Sequence, residues 1–226
     1  MRALALYAGA LELVARAGRS IEQIVAPNAC AFCGVELHGR APPVCAGCYG
    51  DLPWLGARFH LDPLVTALAP LEYAFPVDAA IKRLKFQRKL FYAPAFTYLL
   101  SSSLRDLPGD VDALLPMPLH WRRMAFRGFN QANEISRGIA RATGLPIVNN
   151  ISRIRHTPYQ SGLSAAQRKR NLKHAFRIRG SVDYDHILVV DDVITTGETC
   201  RELARVLLGA GANKVSALAI ARVVSG

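Results

Sequence analysis

The stretch that most constrains this chain is residues 187–199, where an apolar run, two acids and a hydroxyl-rich turn follow one another directly. Ile187 to Val190 form an unbroken apolar run, which is typical of a strand buried on both faces in a parallel sheet. Asp191 and Asp192 come next, at the expected carboxyl end of that strand, where open α/β sheets bind their ligands. We therefore expect an α/β fold with a ligand site at this sheet edge.

The residues after the acids are suited to binding a phosphate group. Thr195, Thr196, Gly197 and Thr199 lead into a helical pattern. Such a turn directs backbone N–H groups and hydroxyls at one point, and the helix N-terminus adds partial positive charge. Glu198 places a negative charge in this loop, so it must point away from the ligand or be offset by a neighbouring base.

The acidic pair narrows the ligand further. Bare carboxylates would repel a phosphate, so Asp191 and Asp192 make sense if they face another part of the same ligand, such as sugar hydroxyls. The alternative is an ordinary strand–turn–helix corner with two solvated acids. Cys200, on the helix that follows, is expected to be a packed core thiol rather than a nucleophile.

Four of the five cysteines form two C-x-x-C pairs, Cys30 with Cys33 and Cys45 with Cys48, separated by eleven residues. Two such pairs complete a tetrahedral Zn²⁺ site, and the Gly- and Pro-rich stretch between them has too few apolar residues to fold without a staple. The alternatives are two disulfides, which fit a secreted protein, or a redox pair, which needs no second copy. We predict a structural Zn²⁺ with four thiolate ligands.

Positive charge is concentrated in one part of the chain. The 28 basic residues outnumber the 17 acidic ones, and thirteen of the 28 lie within residues 121–180, where only Glu134 opposes them. That segment therefore carries a net charge of +12, while the remainder is close to neutral. Such a field implies a polyanionic partner: pyrophosphate, nucleic acid or both.

Periodicity predicts the elements between the cysteine pairs and the acidic stretch. They are helices at 79–86 and 89–104, a buried strand at 111–115, a helix from 131 to Gly144, a short strand near Ile147, a return to the sheet at 175–178 and a last strand at 214–221. The basic residues of 82–89 are interpreted as a solvated helix face; the alternative is that Lys85 and Phe86 reach the main domain.

A proline-rich turn at 116–120 follows the strand at 111–115 and is itself followed by arginines. A rigid turn beside Arg123 and Arg127 is suited to gripping a pyrophosphate, because guanidinium groups offer forked donors. A basic surface turn is the alternative.

Residues 152–171 form a long polar stretch without a convincing period. Loops of this length inside compact domains are usually functional. A basic flap that closes over the substrate and a tongue that binds nucleic acid both fit, and the sequence does not separate them.

The first residues predict an amphipathic helix over 4–25, ending before Pro27. Glu12 and Arg16 interrupt the apolar run, so it does not resemble a signal peptide. No stretch reaches the ~18 apolar residues of a membrane span. We expect a cytoplasmic protein, not an integral membrane protein, with a small module at 1–56 and a main domain at 57–226.

The segment 187–199 resembles the signature of type I phosphoribosyltransferases, and the whole pattern resembles the ComF family (ComF/GntX) of phosphoribosyltransferase-like proteins. The motifs that carry the second resemblance run in chain order: the Cys pairs ending at Asp51–Pro53, Lys85 with Phe86, Pro116–Leu119, Arg127–Gln131, Arg155, Thr157, Gln160, Leu163, Arg168, Asn171, Ala175 with Phe176, and 187–199.

The resemblance implies a mostly parallel sheet flanked by helices and preceded by an N-terminal helix and a zinc ribbon. It implies phosphoribosyl pyrophosphate as donor, bound with Mg²⁺, and transfer of its phosphoribosyl group to an acceptor that is not settled for the family. Catalysis would involve Asp191, Asp192, Arg155 and Arg168. The implied donor contacts are Asp191, Asp192, Val193, Ile194, Thr195, Thr196, Gly197, Glu198, Thr199, Pro118, Arg123 and Arg127.

The family is associated with DNA uptake in natural competence, which implies single-stranded DNA and DNA-uptake proteins as partners. The alternative function is therefore a DNA-binding protein that uses the pocket as a regulatory phosphate site. Its candidate contacts are Arg122, Arg123, Arg127, Arg168, Lys169, Arg170 and Lys173. Nearby aromatic residues that could stack on bases are Trp121, Phe126, Phe129, Tyr159 and Phe176.

Overall fold

The computed structural model describes residues 29–39, 41–56, 58–155 and 174–224. The helices in these ranges are α1 Ala46–Asp51, α2 Val77–Gln87, α3 Tyr92–Leu100, α4 Trp121–Arg127, α5 Gln131–Thr143 and α6 Glu198–Leu208, with a 3₁₀ turn at Ser103–Asp106. The strands are β1 Arg58–Phe59, β2 Ala67–Leu68, β3 Leu71–Glu72, β4 Ala113–Pro116, β5 Ile151–Arg153, β6 Phe176–Ile178, β7 His186–Ile194 and β8 Lys214–Arg222.

The main sheet has six strands in the order β1-β2-β8-β7-β4, and β3 pairs with β8 beyond the end of β2. All pairs are parallel except β1 with β2. Val189 of β7 lies opposite Leu115 of β4 on one side and Ala217 of β8 on the other. The mostly parallel α/β sheet predicted from the sequence is therefore confirmed.

Side chains of the central strands alternate between two cores, as the pleat of a strand requires. Leu188 and Val190 of β7 pack in a core with α2, α3 and α5. Ile187 and Val189 point to the other face and pack with α6. Both faces are covered, which explains why this strand reads as an unbroken apolar run.

The structure corrects three predicted strands. The strand expected at 187–190 continues to Ile194, so Asp191 and Asp192 lie within its last residues rather than after it. The segment at 175–178 does not return to the main sheet: β6 pairs antiparallel with β5 in a separate two-stranded ribbon. Near Ile147 there is a single bridge to Leu114 in place of a short strand.

Two predicted helices have different bounds. The helix expected at 79–86 spans Val77–Gln87 and buries Ile81 and Leu84. The one expected at 89–104 is shorter, Tyr92–Leu100, and is followed by the 3₁₀ turn. The helix expected from 131 to Gly144 is confirmed: α5 ends at Thr143, where Gly144 adopts a left-handed conformation with φ of 77°.

The cysteine module packs directly against the main core. Cys30, Val44 and Leu52 belong to the same buried cluster as α2 and α3. Trp54 bridges to Leu71 of β3. The predicted boundary between 1–56 and 57–226 stays a prediction, and its two sides share apolar contacts.

Two predicted segments fall outside the described residues. They are the amphipathic helix at 4–25 and most of the polar stretch at 152–171, including Arg168, Lys169 and Arg170. Within the ranges that are described, no helix has the length and apolar character needed to cross a membrane.

Candidate functional site

The loop after β7 turns sharply into α6 at Gly197. Gly197 has φ of 76°, a region that residues with a Cβ rarely adopt. An ideal Cβ placed there would lie 2.5 Å from Cδ1 of Leu61. Leu61 therefore sits directly on the loop, while Thr195 and Thr196 remain exposed beside the start of α6. The arrangement presents hydroxyls, backbone N–H groups and a helix N-terminus to one region.

The negative charge of Glu198 is offset by a neighbouring base, as the sequence required. Nη1 of Arg201 lies 2.7 Å from Oε1 of Glu198, one helical turn away. The same nitrogen donates to the carbonyl oxygen of Thr196 at 2.8 Å. Arg201 thus holds the Glu198 side chain against α6, and its hydrogen bond to the Thr196 carbonyl stabilises the loop.

Asp192 is enclosed by two side chains from different helices. Nζ of Lys85 in α2 lies 2.7 Å from its Oδ1. The side-chain amide of Gln131, the first residue of α5, donates to its Oδ2. The interpretation of Lys85 as part of a solvated helix face was wrong, because its side chain is buried against this carboxylate.

Asp191 has different surroundings from Asp192. Its Oδ1 accepts a hydrogen bond from the backbone N–H of Asp192 at 2.8 Å, and its side chain is half-buried. Burial and the adjacent charge of Asp192 raise the pKa of Asp191 to about 7, although Lys85 and Arg153 favour its ionised form. A carboxyl group in this range changes protonation near neutral pH.

The two acids lie on opposite faces of β7. Asp192 meets α2 and α5, the layer that covers Leu188 and Val190. Asp191 is close enough to the buried thiol of Cys200 in α6 for its charge to contribute, after burial, to the raised pKa of that thiol. Cys200 itself is confirmed as a packed core residue.

The proline-rich turn lies beside the end of β7. The backbone N–H of Met117 donates to the carbonyl of Val190 at 2.8 Å, and the Asn130 side chain donates to the carbonyl of Met117 at 3.0 Å. Pro118 is buried next to this contact. The turn is thereby fixed at the same sheet edge as the acids.

Two of the predicted pyrophosphate contacts, Arg123 and Arg127, belong to α4. Nη1 of Arg127 donates to Oε1 of Gln131 at 3.1 Å, which connects it to Asp192. Arg123 lies near Arg153 of β5: burial and this neighbouring charge lower the pKa of Arg153 to about 10, and Asp191 opposes the shift. The structure therefore brings three arginines to the acidic end of β7.

The polar stretch at 152–171 is only partly described. Arg155 lies two residues after the end of β5 and is exposed. Arg168 and Lys173, with Lys169 and Arg170 between them, lie outside the described residues, as does Tyr159.

Helix α4 buries none of its residues. Its Trp121 is 65% exposed and its Phe126 75% exposed. The guanidinium of Arg122 lies 5.4 Å from the ring of Trp121. We call Trp121, Arg122, Met124 and Phe126 the α4 surface. Phe176, in contrast, is a core residue.

The four cysteines of the two C-x-x-C pairs come together in one cluster. All four Sγ atoms lie within 4.8 Å of one another. A tetrahedral Zn²⁺ with Zn–S bonds of about 2.3 Å holds its sulfurs about 3.8 Å apart. The Sγ atoms of Cys33 and Cys45 are 3.8 Å apart, and all four thiols are free. The cluster thus fits a tetrahedral metal ion with four thiolate ligands.

Backbone groups support ionised sulfur in this cluster. The backbone N–H of Cys45 points at Sγ of Cys30 at 3.3 Å, and that of Cys48 points at Sγ of Cys45 at 3.4 Å. Burial opposes ionisation of Cys30, but backbone N–H groups outweigh it and lower its pKa to about 6. Burial and contact with Cys33 raise the pKa of Cys48. Negative charge shared among crowded sulfurs favours a bound cation.

Sequence reasoning assigned no site role to three residues of the site: Lys85, Gln131 and Arg153. A signal existed for Lys85, because it follows Ile81 by one helical turn and thus lies on the apolar stripe of α2. A lysine on the buried face of a helix indicates that an acidic side chain pairs with it. Gln131 was recognised only as part of a motif that opens a helix, and Arg153 only as one of the basic residues.

The fold and the site define a class of protein. A mostly parallel sheet flanked by helices, a strand ending in two acids, a Thr–Gly loop entering a helix and an adjoining cysteine module are the features of a phosphoribosyltransferase-like protein.

Comparison with known proteins identifies the family within this class. The chain is 34% identical over 206 residues to Competence protein F of Haemophilus influenzae, covering 85% of this chain and 84% of that protein. It is 33% identical over 213 residues to the DNA utilization protein YhgH of Salmonella typhimurium, covering 90% and 87%. It is 34% identical over 200 residues to YhgH of Escherichia coli K12, covering 85% and 83%. The chain belongs to the ComF family. No family model matches it.

Proposed function

We propose that this chain binds phosphoribosyl pyrophosphate with Mg²⁺ and transfers the phosphoribosyl group to an acceptor with release of pyrophosphate. The observation that carries the proposal is the acidic end of β7, which is followed directly by a Thr–Gly loop at the start of α6 and flanked by arginines. One ligand that carries a sugar, a terminal phosphate and a pyrophosphate matches these three features together.

In this proposal the 5′-phosphate lies in the loop of residues 193–199. The exposed hydroxyls of Thr195 and Thr196 and the N-terminal N–H groups of α6 would bind its oxygens. The close approach of Leu61 to Gly197 would keep the loop in its turned conformation. The acidic end of β7, which carries Asp191 and Asp192, would lie toward the ribose.

The pyrophosphate would lie toward Pro118, Arg123 and Arg127. During transfer the bond from ribose C1 to a pyrophosphate oxygen breaks and its electron pair leaves on pyrophosphate. The acceptor nucleophile forms the new bond to C1 and gives up its proton, which passes to solvent or to the released pyrophosphate. Guanidinium groups stabilise the charge that develops on the leaving group. We assign the same charge-stabilising role to Arg155 and Arg168.

Mg²⁺ would neutralise charge on the pyrophosphate, with oxygens of the bound donor as its main expected ligands. Asp191 is the protein group best suited to help hold it or the ribose hydroxyls, because its side chain is only half-buried. In the cysteine cluster we propose a structural Zn²⁺, since four thiolates leave no open position for a substrate. The free thiols fit the cytoplasm.

The biological role proposed for this activity is in DNA utilization. Relatives that align with most of the chain carry the names Competence protein F and DNA utilization protein. We propose that the chain acts with the proteins that take up or use DNA.

Titration calorimetry with phosphoribosyl pyrophosphate and Mg²⁺ tests the donor assignment. We expect heat with the wild type and none with Asp191→Ala/Asp192→Ala. Lys82→Met is a matched control, because Lys82 forms an exposed ion pair with Asp78 on α2. Absence of binding to the wild type would refute the proposal.

A second candidate function is binding of single-stranded DNA. The α4 surface favours it, because exposed aromatic rings beside arginines are suited to base stacking and phosphate contact. We expect affinity to fall steeply with salt, by a slope of about 0.7 per phosphate contact on a logarithmic scale.

The variants separate the two kinds of contact. Arg122→Ala should reduce the salt slope, whereas Phe126→Ala should weaken binding at every salt concentration. Arg141→Ala, at the far end of α5, is the control. A flat salt response of the wild type would exclude this function.

A further inference from the structure

The two carboxylates at the end of β7 are not equivalent, and this difference deepens the proposed function on which it rests. Each oxygen of Asp192 has its own partner: Oδ1 meets Nζ of Lys85 at 2.7 Å, and Oδ2 accepts from the amide of Gln131. The Asp192 residue is 4% exposed. A ligand would have to displace a buried partner to reach it.

Asp192 also determines how the Gln131 amide is oriented. A side-chain amide has one donor end and one acceptor end. An ionised carboxylate only accepts, so the NH₂ end of Gln131 must face Asp192. The oxygen end is then directed at Arg127, whose Nη1 donates to it at 3.1 Å.

Arg127 is supported on a second side by the residue next to Lys85. Its guanidinium carbon lies 5.2 Å from the centre of the Phe86 ring. Lys85 and Phe86 are neighbours in α2, and Gln131 begins α5. One short segment of α2 therefore touches both ends of the chain of contacts that runs from Asp192 through Gln131 to Arg127.

Asp191 takes no part in this chain of contacts. It lies on the opposite face of the strand, is half-buried, and accepts from the backbone of Asp192. Its surroundings include Arg153, which in turn is near Arg123. Arg153 of β5 therefore lies on the side of Asp191, whereas Arg127 of α4 belongs to the contacts of Asp192.

We propose that Asp192 is a positioning residue, which aims Arg127 at the pyrophosphate through Gln131, while Asp191 alone meets the ribose. Lys85 is then the permanent counter-ion of Asp192. Different residues thus bind the two ends of the donor. Asp191 binds the sugar, and Arg127 binds the pyrophosphate in an orientation that the buried Asp192 determines.

The test compares two ligands, phosphoribosyl pyrophosphate and ribose 5-phosphate, each titrated with Mg²⁺. The ratio of their dissociation constants measures what the pyrophosphate contributes. We expect Gln131→Leu to weaken binding of phosphoribosyl pyrophosphate by about tenfold, the loss of roughly one charge-assisted hydrogen bond. Binding of ribose 5-phosphate should stay within experimental error.

Asp191→Asn should weaken both ligands by the same factor and leave the ratio unchanged. Arg127→Lys, which keeps the charge and loses the forked donor, should reproduce the selective loss of Gln131→Leu. It also keeps the proposal testable if Gln131→Leu does not fold. Lys82→Met is the control for a lysine change on α2, and thermal unfolding checks that each variant is folded.

Two outcomes would overturn the proposal while the wild type still binds. Equal weakening of both ligands in Gln131→Leu and Arg127→Lys would mean that these residues act only on the fold. Tighter binding in Lys85→Met would mean that Lys85 blocks Asp192 and is displaced by the sugar. A wild type that binds neither ligand refutes the proposed function itself, and with it this division of roles.

Discussion

Nζ of Lys85 lies 2.7 Å from Oδ1 of Asp192, and the two side chains are only 16% and 5% exposed. Breaking a buried pair by removing one partner leaves an uncompensated charge and costs about 3–5 kcal/mol. Lys85→Met should therefore lower the free energy of unfolding by an amount in this range, measured by urea denaturation.

Removing both charges should recover most of that loss. In Lys85→Met/Asp192→Asn no charge is left unpaired, and the asparagine oxygen can still accept from Gln131. Lys82→Met is the matched control, because Lys82 and Asp78 form an exposed pair worth at most about 1 kcal/mol. A double variant as unstable as the single one would show that the lysine stem, not the charge, is what the fold requires.

Because the pKa of Asp191 is raised, we predict that the free energy of unfolding decreases as pH rises. Its pKa is about 7 in the folded protein, against about 3.9 for an unfolded chain, so the folded state holds more protons between these values. Stability is therefore lost as pH rises from about 4 to 7. Asp191→Asn should stabilise the protein at pH 8 by roughly 1–3 kcal/mol, and the gain should vanish near pH 4.

Asp110 provides a control of opposite sign for that measurement. Hydrogen bonds from Lys214 and His186 lower the pKa of Asp110 to about 2. The stabilisation that Asp110 gives to the folded protein is present above about pH 4 and is lost as pH falls toward 2. Asp110→Asn should therefore destabilise the protein at neutral pH. Guanidinium denaturation at several pH values checks both variants, and a loss of stability in Asp191→Asn at pH 8 would contradict the role given to burial.

The conformation of Gly197 leads us to predict that the phosphate loop requires glycine at this position. Its φ of 76° disfavours any side chain, and a Cβ would lie 2.5 Å from Leu61. Gly197→Ala should destabilise the protein by about 1–3 kcal/mol and weaken binding of phosphoribosyl pyrophosphate. Gly109→Ala is the control, because no atom lies within 4 Å of its Cβ position. If Gly197→Ala and Gly109→Ala had equal effects on stability and on binding, the loop would not require glycine at position 197.

The sheet and the loop after β7 were predictable because their signal is local. An apolar run, two acids and a Thr–Gly turn occupy consecutive positions, and each has one conformation that suits it. The enclosure of Asp192 was not predictable in this way. Its partner Gln131 lies 61 residues away along the chain, and only folding shows that the two meet. Successive side chains of β7 point to opposite faces of the sheet. Asp191 and Asp192, which are adjacent in the sequence, therefore have different surroundings.

The pairing of β6 shows a second limit of sequence patterns. The pattern at 175–178, with Arg177 between two apolar residues, indicates a strand but carries no information on which strand it joins. Its partner, β5, is three residues long and has only one buried residue. Short strands of this kind are specified by the tertiary contacts of Phe176 and Ile151 in the core, not by periodicity.

The cysteine cluster predicts that the metal supports more than its own module. Cys30, Val44 and Leu52 share a buried cluster with α2 and α3, and the Phe32 ring packs edge-on against Tyr92 at 6.1 Å. Purified protein should contain about one equivalent of Zn²⁺. Removing the metal should loosen these contacts, because four crowded thiolates repel one another without a cation.

The expected result of Cys33→Ser is loss of the metal, faster proteolysis within 29–56 and a lower unfolding temperature. Cys200→Ala changes the fifth cysteine, which lies in the other core, and should keep its metal. Because α2 carries Lys85, loosening of the module should also weaken the ion pair with Asp192. Cys33→Ser should then lower the affinity for phosphoribosyl pyrophosphate, whereas unchanged affinity in a metal-free variant would show that the module and the site are energetically independent.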